Sequence, residues 1–143
     1  MTIPRGLRNN NPGNIRRSKI KWRGLAEKQA DIAFVVFSEP FWGIRALAKI
    51  LLTYAREHQL DTVEKIIHRW APPVENDTGA YARSVAAALG VEINTRLRVE
   101  NSVVLANFTK AIIKHENGEQ PYENELIDRA IADALGITQT VST

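Results

Sequence analysis

The period of the apolar positions changes near residue 40, and the change divides the chain in two. From Pro40 onward apolar residues recur at three- and four-residue steps, the repeat of an amphipathic helix. Phe41, Ile44, Leu47, Ala48, Leu51 and Tyr54 make the first such face. Asp61-Thr-Val-Glu64 has the spacing of a capping box. It opens a shorter helix with Val63, Ile66, Ile67 and Trp70 on one side, ended by Ala71-Pro72-Pro73. Asp77 or Thr78 caps a third helix through Tyr81, Val85, Ala88 and Leu89, stopped at Gly90. Asn101 or Ser102 begins a fourth, with Val104, Phe108, Ala111, Ile112 and His115 on its face and Gly118 at its end. A last helix runs from about Glu123 to Leu135 and closes at Gly136, leaving a loose tail over 137–143.

Before Pro40 no helical repeat is visible. Ile32-Ala-Phe-Val-Val-Phe37 is β-branched and aromatic and reads as a strand, with shorter candidates at Gly13–Arg16 and Lys19–Trp22. The expected fold is therefore mainly α, in the α+β sense: a helical domain with a small N-terminal β-hairpin or sheet. A single domain over 1–143 accounts for the whole, with a β-rich loop and hairpin over 1–39 and helices over 40–136.

Composition narrows the chemistry. Of 143 residues, 44% are hydrophobic and 24% charged, the balance of a soluble globular protein. Cysteine is absent, so disulfide and thiolate chemistry fall away. The start, Met-Thr-Ile-Pro-Arg-Gly, lacks the apolar stretch of a signal peptide. Lys49, Arg56 and Arg69 interrupt the longest apolar stretches, so membrane insertion is not expected. Net charge is only +3, but Arg5, Arg8, Arg16, Arg17, Lys19, Lys21 and Arg23 precede any acid. That run is a solvated face, or it attracts a nucleic acid or an anionic wall polymer. Trp22, inside it, suits stacking on a base or a sugar.

The same region holds Arg5-Gly-Leu-Arg-Asn-Asn-Asn-Pro-Gly-Asn-Ile-Arg16. Asn11-Pro12-Gly13 is a tight turn, since Pro presets φ and Gly accepts a positive one. The amides of Asn10, Asn11 and Asn14 either serve their own backbone or meet a neutral ligand rich in hydroxyl and N-acetyl groups. Catalytic candidates are few. His58, His68 and His115 form no metal pattern, and neither a phosphate-binding glycine loop nor a GxSxG elbow is present. Carboxylate acid–base chemistry remains. Glu116, in Ala111-Ile-Ile-Lys-His-Glu-Asn-Gly118, reaches the last turn of an amphipathic helix. There the negative end of the helix dipole and an apolar face both disfavour a charged carboxylate. A second segment, Arg69-Trp-Ala-Pro-Pro-Val-Glu-Asn-Asp-Thr-Gly-Ala-Tyr81, is either a rigid interhelical loop or one wall of a groove. In the groove, Trp70 and Tyr81 would be sugar platforms, and Glu75, Asn76 and Thr78 polar contacts.

RGLRNNNPGNIR, Trp22-Arg-Gly24, Phe34–Phe37, Gly43-Ile-Arg-Ala46, RWAPPxENDTxxY and HENGxxPY together resemble phage and prophage muralytic proteins of a P5-like type. The resemblance spans nearly the whole chain and implies a lysozyme-like or lytic-transglycosylase-like domain acting on peptidoglycan glycan strands. It implies a monomer without metal or cofactor, without nucleic acid as partner. It would be made in the host cytoplasm and would act on the cell wall, as a free lysin or as part of a virion. Glu116 would protonate the bond between N-acetylmuramic acid and N-acetylglucosamine. Asn10, Asn11, Asn14, Trp22, Trp70, Glu75, Asn76, Thr78, Tyr81 and Tyr122 would hold substrate. Asp31, Glu39 and Glu75 are candidates for a second acid, and a transglycosylase needs none. Phage lysozymes carry their hairpin after the catalytic helix, so a circularly permuted arrangement would reconcile the motif order. An endopeptidase, a wall-binding module without activity and a nucleic-acid binder are the competing readings.

Overall fold

The computed structural model describes residues 2–137 and is built from six helices. They are α1 (Arg5–Arg8), α2 (Pro40–His58), α3 (Val63–Trp70), α4 (Thr78–Leu89), α5 (Ser102–Asn117) and α6 (Asn124–Leu135). The mainly α expectation holds, and the tail beyond Ile137 lies outside the described residues. Each long helix turns its apolar stripe inward. Ile44, Leu47, Leu51, Ile66, Ile67, Val85, Leu105, Phe108, Ile112 and Ile127 are all fully buried in one core. Helix α2 lies mainly against α6, α4 against α5, and α3 against α4.

The helix boundaries follow local chemistry. Pro40 occupies the first turn of α2, where its missing N–H costs nothing. Asp77 caps α4 by accepting from the N–H of Ala80, and Asn101 caps α5 by accepting from Val103 and Val104. The expected capping box at Asp61 is displaced by one residue. Thr62 is the cap of α3, its hydroxyl accepting from Lys65 N at 3.2 Å, while Asp61 pairs with Arg96 and Lys65. Ala88, placed by periodicity on the core face of α4, is exposed; Ala82 and Ala86 are buried in the core.

The N-terminal β-hairpin does not form. Among the described residues there are only two isolated bridges, Arg16 with Phe34 and Leu25 with Phe37. Lys19–Trp22 joins neither, and Ile32 is 87% exposed. The cause is competition from side chains for the ladder groups. The Asn11 amide donates to the carbonyls of Ile15 and Val35, both at 2.9 Å, and accepts from Ile15 N. Gln29 both donates to and accepts from the backbone of Val36. Asp31 accepts from the N–H groups of Ala33 and Phe34. The segment is thus a folded loop stitched by amides, and its first turn is the short helix α1 rather than an extended stretch.

This loop closes over a second, smaller core of Ile15, Val35, Phe37 and Ala46, against which Trp22, Trp42, Ile50 and Trp70 pack. Trp70 touches both cores. Helix α2 meets the loop at Gly43, where a Cβ would stand 1.9 Å from the Asn10 carbonyl oxygen. Only a residue without a side chain lets the two backbones approach this closely.

Candidate active site

Helix α5 brings Glu116 into its last turn, half-buried, beside the Asn loop. Two consecutive residues of that turn grip the loop. Glu116 Oε1 accepts from Asn14 Nδ2 at 2.9 Å, and Asn117 Nδ2 donates to the Pro12 carbonyl at 2.8 Å. Asn117 is buried, and the same amide nitrogen donates to Ile113 O in its own helix. The other oxygen of Glu116, Oε2, accepts from the Tyr81 hydroxyl at 2.8 Å. Tyr81 in turn accepts from Trp70 Nε1 at 3.1 Å and stacks on His115, with ring centroids 3.6 Å apart. Burial, and then the neighbouring Glu116 carboxylate, push the Tyr81 phenol well above its ordinary range. Its proton therefore stays in place and points at Glu116.

A groove of about 330 Å³ opens on this carboxylate. Gly13, Asn14, Ile15 and Arg16 form one wall with Phe34; Trp70, Ala71, Pro72, Glu75 and Asn76 form the other; Ile50 and Tyr54 of α2 line it with Glu116. Across it Arg16 faces Glu75 at 3.7 Å, both side chains largely exposed. The structure therefore brings together Asn14, Trp70, Glu75, Asn76 and Glu116 from the sequence-predicted set.

The other predicted site residues do not line the groove. Asn11 is fully buried and its amide is spent on backbone groups, so it is the turn former rather than the ligand contact. Asn10, at φ 53°, donates to the Phe37 carbonyl and braces the loop against α2. Thr78 is buried and donates to the Ala71 carbonyl. Tyr81 is 2% exposed, so it supports Glu116 from behind and presents no ring face to a ligand. Trp22 packs on the smaller core, and Tyr122 on the larger one, where burial pushes its phenol up to about 12.

Two of the three candidate second acids are also placed away from Glu116. Asp31 accepts both a bidentate pair from Arg5, at 2.6 and 2.7 Å, and a bond from Asn9. The Arg5 guanidinium, with the Phe34 N–H behind it, holds this carboxyl far below the usual range. Glu39 is the exposed residue at the start of α2 and sits by Phe41, Leu126 and Arg129. Glu75 alone of the three lines the groove.

Sequence reasoning missed Arg16, Phe34, Ile50 and Tyr54 as groove residues and Asn117 as the second fastening of the loop. Tyr54 continues the stripe of core positions on α2, so periodicity alone places it inside; Arg69 lies over its ring at 5.3 Å. Among the described residues no three His, Asp or Glu side chains form a group able to hold a metal ion, and no helix is long and apolar enough to cross a membrane.

No family model matches the chain. A phage protein does resemble it: Protein P5 of Pseudoalteromonas phage PM2 is 42% identical over 128 residues, covering 87% of this chain and 78% of that protein.

Proposed function

The chain belongs to the family of the phage Protein P5, and we propose that it cleaves the glycan strands of peptidoglycan between N-acetylmuramic acid and N-acetylglucosamine. The observation that carries this reading is the setting of Glu116. One carboxylate, at a helix end, is steadied by two donors and opens on a groove lined by an amide loop and an indole. Amides suit N-acetyl and hydroxyl groups, and Trp70 offers an apolar surface to a sugar ring. The lysozyme-like, permuted arrangement belongs to the same proposal.

Of the two carboxylate oxygens, Oε2 is bound by the buried Tyr81 and Oε1 by the groove-lining Asn14. Oε1 is therefore the oxygen that meets the substrate, with Asn14 released to the N-acetyl group as the sugar enters. Once Asn14 has turned to the sugar, Glu116 takes up a proton and gives it to the glycosidic oxygen as the bond to the muramic C1 breaks. The resulting carboxylate then takes the proton of the muramic 6-hydroxyl, whose oxygen closes on C1 to give a 1,6-anhydro end. This single-carboxylate route is favoured over hydrolysis because Glu75, the other acid of the groove, is exposed and faces Arg16.

The test is mass spectrometry of muropeptides released from purified sacculi by wild type and Glu116→Gln. Anhydro-muropeptides are expected from wild type, with release falling at least ~100-fold in the variant, the lower range for loss of a general acid. New reducing ends would mean hydrolysis instead, and new free amines a peptidase. Sacculi bound but left intact would mean a wall-binding module and would refute the proposal, as would full activity in the variant.

A further inference from the structure

Helix α2 has a second working flank. Phe41, Arg45 and Lys49 are spaced by four and share one stripe, whereas Ile50 and Tyr54 of the groove lie roughly 160° around the helix at 100° per residue. On the first flank, between α2 and α6, is a cavity of about 610 Å³. Arg23, Arg45, Lys49 and Arg129 line it against one carboxylate, Asp133. Its excess of three positive charges equals the net charge of the whole chain, +3.

Three of these four cations have neighbours that place them at the cavity. Arg45 is 9% exposed and donates its Nε to Asp133 at 2.5 Å. Arg23 sits over the Trp42 ring at 5.6 Å and Arg129 over the Phe41 ring at 5.9 Å, and the two rings meet edge to face at 4.9 Å. Gly24, at φ 77°, lies so near that a Cβ would stand 1.9 Å from Trp42, which brings the neighbouring Arg23 over that ring. Guanidinium groups match the oxygens of a tetrahedral anion two at a time.

We infer that this cavity is a binding site for a phosphate group carried on a small headgroup such as a sugar phosphate. A lone carboxylate would leave most of the positive charge unanswered, and a phosphate dianion answers it better. A nucleic-acid track is disfavoured, because binding of single strands draws on free aromatic faces for base stacking, and here Arg23 and Arg129 lie over the rings of Trp42 and Phe41. The site stands apart from the groove and from the reading given to Glu116.

The experiment is titration calorimetry on the full chain at constant ionic strength. The probes are inorganic phosphate, glucosamine 1-phosphate and a ten-residue thymidine oligonucleotide. Saturable binding of the first two is expected. Lys49→Gln and Arg129→Gln, neither in a buried ion pair, are each expected to weaken it at least ~10-fold with unchanged circular dichroism. Arg83→Gln, on α4, is expected to bind as wild type. Heats that match a chloride titration would overturn the inference, as would undiminished binding in both variants. An oligonucleotide bound ten-fold tighter than the sugar phosphate, and lost in the same variants, would overturn it in favour of a nucleic-acid surface.

Discussion

Tyr81→Phe isolates the contact on which the proposed site depends. The substitution keeps the buried ring and its stacking on His115 and removes one oxygen. That oxygen makes two bonds: it donates to Glu116 Oε2 at 2.8 Å and accepts from Trp70 Nε1 at 3.1 Å. A hydrogen bond to a charged group is worth about 1.5–3 kcal/mol, and an indole N–H left without its partner adds up to about 1 kcal/mol at a half-buried position. The expected loss is about 2–4 kcal/mol. For a chain of this length each kcal/mol lowers Tm by about 3 °C, so Tm should fall by about 6–12 °C. Urea unfolding at pH 7 measures the loss directly. A double-mutant cycle with Glu116→Gln then separates the pair from the rest. Gln at 116 can still accept from Asn14 and donate to a reoriented Tyr81 hydroxyl, so that variant folds and the cycle closes. A coupling of about 1–2 kcal/mol is expected. A Tyr81→Phe protein within about 0.5 kcal/mol of wild type, with no coupling to position 116, would show that the hydroxyl does not hold the carboxylate in solution.

Gly43→Ala should destabilise by at least about 2 kcal/mol in the same urea assay. The new Cβ meets the Asn10 carbonyl at 1.9 Å, which outweighs the roughly 1 kcal/mol gain in helix propensity; a stabilised variant would mean that the loop does not lie on α2. Asp31, whose folded pKa is depressed chiefly by Arg5, contributes stability that is present above its ordinary value of about 3.9 and is lost as pH falls through the folded value. The gap in Tm between wild type and Asp31→Asn should therefore be constant from pH 7 to about 5 and narrow at lower pH; a gap that widens on acidification would refute the pairing. Tyr54, Tyr81 and Tyr122, all the tyrosines of the chain, have phenols raised mainly by burial. Ultraviolet titration should show less than the full three-tyrosine phenolate wave near pH 10, with Tyr81 and Tyr122 ionising only together with alkaline unfolding, because the stability tied to raised phenols is lost as pH rises through their folded values.

The helices were legible in the sequence because each carries its own repeat and its own stops. Gly90, Gly118 and Gly136 end α4, α5 and α6 where their placement predicts. Glu116 was legible for a related reason, since a helix end is a local feature. The loop was not. Ile32–Phe37 has strand composition, but what it pairs with is decided by Asn11, Gln29 and Asp31, whose amides and carboxylate take ladder positions that composition assigns to backbone. Likewise the division of labour among Asn10, Asn11 and Asn14 depends on which amide points inward. Only Asn14 lines the groove, and nothing within the triplet and its neighbours marks it out.

The fastenings between the Asn loop and α5 join residues 102 and 105 positions apart. The loop is made about a hundred residues before its anchors. At about 5–20 residues per second, the ribosome takes roughly 5–20 s to travel from one to the other. Throughout that interval a nascent chain has the amides but no Glu116 to meet them. A fragment abandoned before Glu116 is made would therefore hold the Asn loop without its carboxylate, and the proposed cleaving site would be absent from it.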